Sequence, residues 1–154
     1  MALGVWNYTR DFDHQSDVDG DGNPLKARSQ GLYILADHPL GANASMFYRH
    51  GWASSAANRF KSSFSTGVVL KEFLGGRPDD QLAMGLTIAT NGVEYKQAQA
   101  SPVDGSESAF ELTYRAELGR GFALQPDFQY VMNPNTDPAV KNATVLAIRA
   151  EISL

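Results

Sequence analysis

The sequence contains no cysteine, which excludes disulfides, thiolate catalysis and thiol metal sites. No stretch approaches the roughly eighteen apolar residues of a membrane-spanning helix. No two Lys or Arg residues are adjacent, and the 13 of them stand against 17 Asp and Glu, for a net charge of −4. A basic nucleic-acid footprint is therefore missing. The three histidines, His14, His38 and His50, form no i, i+4 pair, so neither a zinc site nor a triad is supported. Serine occurs in no G-x-S-x-G context. No apolar stripe of period 3.6 has useful length, so little or no helix is expected. Nothing in these residues points to catalysis, a metal or a cofactor.

What is present is strict alternation, clearest between Ser108 and Leu154. Phe110, Leu112, Tyr114, Ala116 and Leu118 fall on one face, with Glu111, Thr113, Arg115 and Glu117 on the other. A second run sets Phe122, Leu124, Pro126, Phe128, Tyr130 and Met132 against Ala123, Gln125, Asp127, Gln129 and Val131. A third sets Leu146, Ile148, Ala150, Ile152 and Leu154 against Val145, Ala147, Arg149, Glu151 and Ser153. Period two predicts β-strands. Each run is about nine to twelve residues, longer than the usual five or six. It matches the nine to eleven residues of a tilted strand crossing a bilayer. One apolar and one polar face is the pattern of a transmembrane β-barrel with lipid outside and a wet lumen inside. The mean hydropathy of −0.29 does not oppose this, because alternation hides an apolar band.

Five further strands precede these three, at Ala2–Thr9, Gln30–Asp37, Ser45–Ala53, Ser62–Phe73 and Leu82–Thr90. Residues Arg10–Ser29 read as a long polar loop, Gly75–Gln81 as a breaker-rich turn, and Gly119-Arg120-Gly121 as a tight turn. The first, fifth and seventh connections are long and the even-numbered ones shorter. Bacterial barrels have long outer loops and short periplasmic turns, so the odd-numbered connections are expected to face outward. The fold expected is all-β, an antiparallel up-and-down transmembrane β-barrel segment of about eight strands, with residues 1–154 as a single unit. The residues after Met1, ALGVWNYTRDFDHQ, lack the features of an export signal, so the chain is expected to be a piece of something longer.

Parity names the residues expected to face the lumen: Arg49, Lys71, Glu111, Arg115, Glu117, Gln125, Asp127, Gln129, Arg149 and Glu151. Guanidinium groups, amides and carboxylates together can donate to and accept from sugar hydroxyls. The same residues could instead form ion pairs that fill and stiffen the wall. Trp6, Tyr8, Trp52, Phe122, Phe128 and Tyr130 are candidates for interfacial girdles, or for plain apolar packing. Asp17, Asp19, Asp21 and Gly22 spell the opening of a Ca²⁺ loop, D-x-D-x-D-G. Its twelfth position is Arg28 where such a loop needs Glu, so a solvated turn is the better reading.

The ordered set ALGVWNYTRDF, QGLYILADHPL, MFYRHGWASS, FSTGVVLKEFLGGRPDDQLAMGL, ESAFELTYRAELGRGFALQPDFQYVMNP and ATVLAIRAEISL resembles the C-terminal half of the carbohydrate-selective outer-membrane porin family (OprB type). The resemblance implies a sixteen-strand barrel of the bacterial outer membrane for passive diffusion of small sugars. Its partners would be sugars in transit, outer-membrane lipid and the missing N-terminal half of the barrel. This sequence ends in Leu154, where such barrels usually end in an aromatic residue. From the residues alone, two alternatives stay open. One is a small closed eight-strand barrel with a structural or binding role, its interior just filled by side chains. The other is a soluble β-sandwich binding module, opposed by the length of the strands.

Overall fold

In the computed structural model, residues 1–153 are described. Leu154 lies outside them, and with it the expectations placed on that residue. The elements are β1 (Ala2–Val18), β2 (Pro24–Pro39), β3 (Ala44–Ala53), β4 (Phe60–Lys71), β5 (Gln81–Asn91), α1 (Val93–Ala98), β6 (Ser106–Gly119), β7 (Phe122–Met132) and β8 (Ala143–Ile152). A single 3-10 turn at Pro134–Thr136 follows β7. The eight strands form one sheet in chain order, each antiparallel to its neighbours. β1 and β8 do not pair, so the sheet is open and the small closed barrel is not the fold of this chain.

Register decides which residues share a face, because cross-strand partners project to the same side. The chain of partners runs Arg49↔Ser65, Ser65↔Thr87, Thr87↔Ala109, Ala109↔Val131 and Val131↔Ala143. Odd-numbered residues of β2 to β8 therefore lie on one face and even-numbered ones on the other. The even face carries Leu32, Ile34, Met46, Phe64, Val68, Leu82, Met84, Leu86, Ile88, Leu112, Phe128 and Ile148, a mostly apolar surface interrupted by His50 and Thr66. Almost no hydrophobic side chain is buried, Ala123 at 2% exposure being the core residue, while Leu146 of the even face is 78% exposed. A sheet with its apolar residues turned outward has no interior of its own to hide them in.

The first connection departs from expectation. Residues Arg10–Ser29 are not a loop; most of them extend β1 and β2 as a long hairpin. At about 3.3 Å per residue, the 17 residues of β1 reach roughly 55 Å, well past a hydrocarbon core of about 30 Å. The overhanging part sets exposed Asp11, Asp13, Lys26 and Arg28 against half-buried Phe12 and His14, with α1 packed on β1 and the Gln15 N–H bonded to the Ala56 carbonyl at 2.8 Å, so it carries no apolar outer stripe to read. It is held by the pairs Asp11↔Arg28 and Asp13↔Lys26, each also an ion pair. The turn itself is Asp19 to Asn23. The Asp19 Oδ1 accepts from the backbone N–H groups of Asp21 and Asn23, each at 2.9 Å, and Gly22 takes φ +83°. The aspartates thus build an Asx-type turn. Among the described residues, no three His, Asp or Glu side chains converge as metal ligands. The backbone N–H of Asn23, foremost, holds the Asp19 carboxyl below its ordinary pKa.

Candidate functional site

Register puts the ten residues named above on one side of the sheet, that of the odd-numbered residues. Register links Arg49 to the face of Ser65, Lys71 to Gln81, Gln81 to Arg115, Glu111 to Gln129, Gln125 to Arg149, and Glu151 to Ala123. They do not form one cluster. Arg49 reaches Asp37 across β2 and β3 at 3.3 Å and lies 4.8 Å above the Phe47 ring. Lys71 is exposed at the end of β4.

The other eight occupy β6 to β8 as two groups. In the first, Arg115 donates from Nη1 to Glu117 at 2.9 Å, and from Nε and Nη2 to Glu151 at 3.1 and 3.0 Å. Arg115 sits on β6 and Glu151 on β8, so the guanidinium reaches over β7. What lies beneath is Ala123, the small residue that leaves room for it. In the second group, Glu111, Gln125, Asp127, Gln129 and Arg149 surround a concavity of about 390 Å³. Gln129 donates to Asp127 and Gln125 to Thr113, each at 2.9 Å. Among the described residues the Arg149 guanidinium has no hydrogen-bond partner, so its donors are open to a solute.

Sequence reasoning missed the other occupants of this face. Even-numbered residues of β1 pair with odd-numbered ones of β2, so Trp6 shares the polar face with Gly31, and Gly4 with Tyr33. Trp6 and Tyr8 therefore do not belong to an interfacial girdle. Trp52, Phe122, Phe128 and Tyr130 do lie on the apolar face. The signal was in the glycines. A Cβ at Gly31 would sit 2.7 Å from the Trp6 ring, at Gly67 2.7 Å from the Phe47 ring, and at Gly4 2.2 Å from the Tyr33 ring. Each aromatic lies over a glycine of the next strand.

The family model for the carbohydrate-selective porin, OprB family, matches residues 2–154. The chain belongs to that family. It is also similar in structure to OprB of Pseudomonas putida in its high-pH form, with a TM-score of 0.87 at 20% identity. At that identity the likeness carries the fold alone. It covers 97% of this chain and 43% of that one, so the chain spans less than half the length of that porin. No curated protein matches by sequence.

In this porin segment both rims are tied by buried polar groups. At the rim of the odd-numbered connections, Asn91 is 1% and Thr136 0% exposed. Thr136 Oγ1 accepts from Asn91 Nδ2 at 2.8 Å and from Arg59 Nη2 at 3.1 Å. Arg59 also donates to the side-chain and backbone oxygens of Asn135, both at 2.8 Å, and stacks 4.6 Å from the Tyr95 ring of α1. Three connections are thereby joined. The joint holds Thr136, a β-branched residue, at φ +54°, a conformation sustained only where surroundings over-determine it. α1 itself packs against β1, which is four strands from β5, so the connection after β5 folds across this rim.

At the opposite rim, Asp80 is 1% exposed. It accepts from Arg77, from the Tyr114 hydroxyl and, at 2.8 Å, from the Glu117 backbone N–H. The adjoining Arg77 guanidinium, foremost, holds the Asp80 carboxyl down at about 2, against the opposing effect of burial. Arg77 donates onward to the Glu117 carbonyl at 3.1 Å, which fastens the turn after β4 to β6.

Proposed function

We propose that this chain is part of the wall of an outer-membrane pore through which small sugars diffuse passively. The observation that carries the reading is one sheet with two chemically opposite faces, in a chain of the carbohydrate-selective porin family. The apolar face meets lipid and the polar face meets water and solute. The open edges of β1 and β8 take their partners from the remaining, N-terminal half of the barrel. Unpaired edges of this length would otherwise be sites of aggregation.

The solute path runs past Arg149, Glu111, Asp127 and Gln129. A sugar hydroxyl both donates and accepts, so guanidinium, amide and carboxylate groups at one concavity exchange hydrogen bonds with it. Conduction requires that binding stay weak enough to release, which favours several modest contacts over one dominant one. The channel needs no catalytic group and no cofactor for this. Arg115 does a second job, because its guanidinium is already engaged by Glu117 and Glu151.

The test is solute flux through the intact porin in proteoliposomes. D-glucose is expected to enter faster than an uncharged non-sugar of equal size. Equal rates for the two would reduce the reading to a general diffusion pore.

A further inference from the structure

We infer that the polar face of β1 carries a second, aromatic subsite for the ring of a pyranose sugar, built by Trp6, Tyr8 and Phe12. The inference rests on the sugar-pore reading above and adds a binding site to it. Three observations support it.

First, the three rings form a row. Ring centroids are 5.5 Å apart from Trp6 to Tyr8 and 5.6 Å from Tyr8 to Phe12, with planes tilted by 59° and 66°. Second, register puts the row on the face that holds the charged residues. Trp6 pairs with Gly31, and Phe12 pairs with Ala27 further along β2, on the same side. Third, the row is set in advance, with Trp6 and Phe12 half-buried and Tyr8 open between them. Trp6 lies over Gly31, where any Cβ would collide with it, so its ring is fixed against backbone. Tyr8 is 57% exposed.

Position gives the row its use. Gly31 is level with Ala53, the last residue of β3, so Trp6 stands at the rim of the odd-numbered connections. From there Tyr8 and Phe12 climb the hairpin beyond the end of β3. A solute that descends this wall meets the aromatic row before it reaches the level of Arg149. The negative face of an aromatic ring attracts the C–H groups that line one side of a pyranose, while the hydroxyls at the ring's edge stay in water. An acyclic polyol with the same hydroxyls presents no such flat face. The row would therefore favour ring sugars over open-chain ones, which hydrogen bonds alone cannot do.

The experiment uses the full-length porin in planar bilayers and reads the block of ion current by D-glucose and by mannitol, an acyclic hexitol of similar size. Trp6→Leu keeps apolar bulk over Gly31 but removes the ring. It is expected to weaken glucose block by about three- to tenfold, with mannitol block and open-channel conductance unchanged. Trp6→Phe is expected to stay near the parent. If Trp6→Leu does not insert, Tyr8→Leu, which packs on no glycine, gives the same readout with a loss of about two- to threefold. Unchanged glucose block in Trp6→Leu or Tyr8→Leu, or equal loss for glucose and mannitol, overturns the subsite. A parent channel that conducts ions but responds to no sugar overturns the sugar-pore reading itself, and the subsite with it.

Discussion

The inner face of this sheet is covered in two different ways at its two ends. On β1 to β4 it is aromatic rings laid over glycines: Trp6 on Gly31, Tyr33 on Gly4, Phe47 on Gly67. On β6 to β8 it is charges and amides joined to one another, with Ala123 beneath the Arg115–Glu151 bridge. Between them runs a strip of small residues, Ala83, Gly85, Thr87 and Ala109. The difference shows what each chemistry demands of the strand next door. A flat ring gains contact only if the neighbour has no side chain there. A guanidinium can arch over an alanine, because its stem is long and its partner lies two strands away.

The comparison stands on parity, and the largest effect tests parity. Leu112 and Thr113 are adjacent, mid-strand and on opposite faces. Leu112→Arg in the intact porin should cost about 2–4 kcal/mol of folding free energy in lipid. Thr113→Arg should cost clearly less, about 1 kcal/mol, from the hydrogen bonds it gives up with Gln125 and the Pro126 carbonyl. Equal costs in a denaturant titration would break the assignment of faces.

Next is the aromatic end. A Cβ at Gly67 would lie 2.5 Å from the Met84 carbonyl oxygen and 2.7 Å from the Phe47 ring. Gly67→Val should cost about 1–3 kcal/mol by overpacking. Adding Phe47→Ala should restore part of it, because the ring is only one of the two obstacles. A double variant no more stable than Gly67→Val alone would mean that ring and glycine are not partners.

The charged end has a pH signature at its rim. The Asp80 carboxyl is held near 2, below the 3.8 of an unfolded chain. Between those values the unfolded state keeps a proton that the folded state has shed, so stability rises with pH there. The contribution should be complete above pH about 4 and fade as pH falls toward about 2. Denaturant midpoints at pH 5 and pH 2.5 should differ less in Asp80→Asn than in the parent. An equal drop in both would place the acid sensitivity elsewhere.

The smallest effects separate two arginines of the same wall. Arg149→Ala should change sugar flux several-fold at unchanged stability, because its donors face the concavity. Arg115→Ala should also shift ion selectivity toward cations, and it should destabilise the fold by unpairing Glu117 and Glu151. Bilayer reversal potentials and thermal midpoints check both. Identical profiles for the two would erase the distinction between a solute contact and a wall tie.

Much of this was legible in advance, for a specific reason. Where one face meets an apolar medium and the other water, alternation is unavoidable, and Phe110 to Glu117 or Leu146 to Glu151 display it openly. The ten polar-face residues follow from that pattern by counting. The hairpin beyond Thr9 was not legible, because its outer face turns charged at Asp11, Asp13, Lys26 and Arg28, so the apolar stripe that marks the other strands stops there. The inner-face position of Trp6 was hidden as well. Its strand is apolar on both faces, with Leu3 and Val5 on one and Trp6 and Tyr8 on the other, so composition could not say which side was which.

The sequence by itself determined the strands, their antiparallel order and the division of β2 to β8 into two faces, since each is a local consequence of period two and short turns. Tertiary structure decided what touches what. The register set Trp6 over Gly31 and Arg115 within reach of Glu151, and the rim contacts brought Arg59, Asn91 and Thr136 together from three connections. Those pairings depend on how neighbouring strands slide against one another and where their loops fold back, and no single strand carries that information.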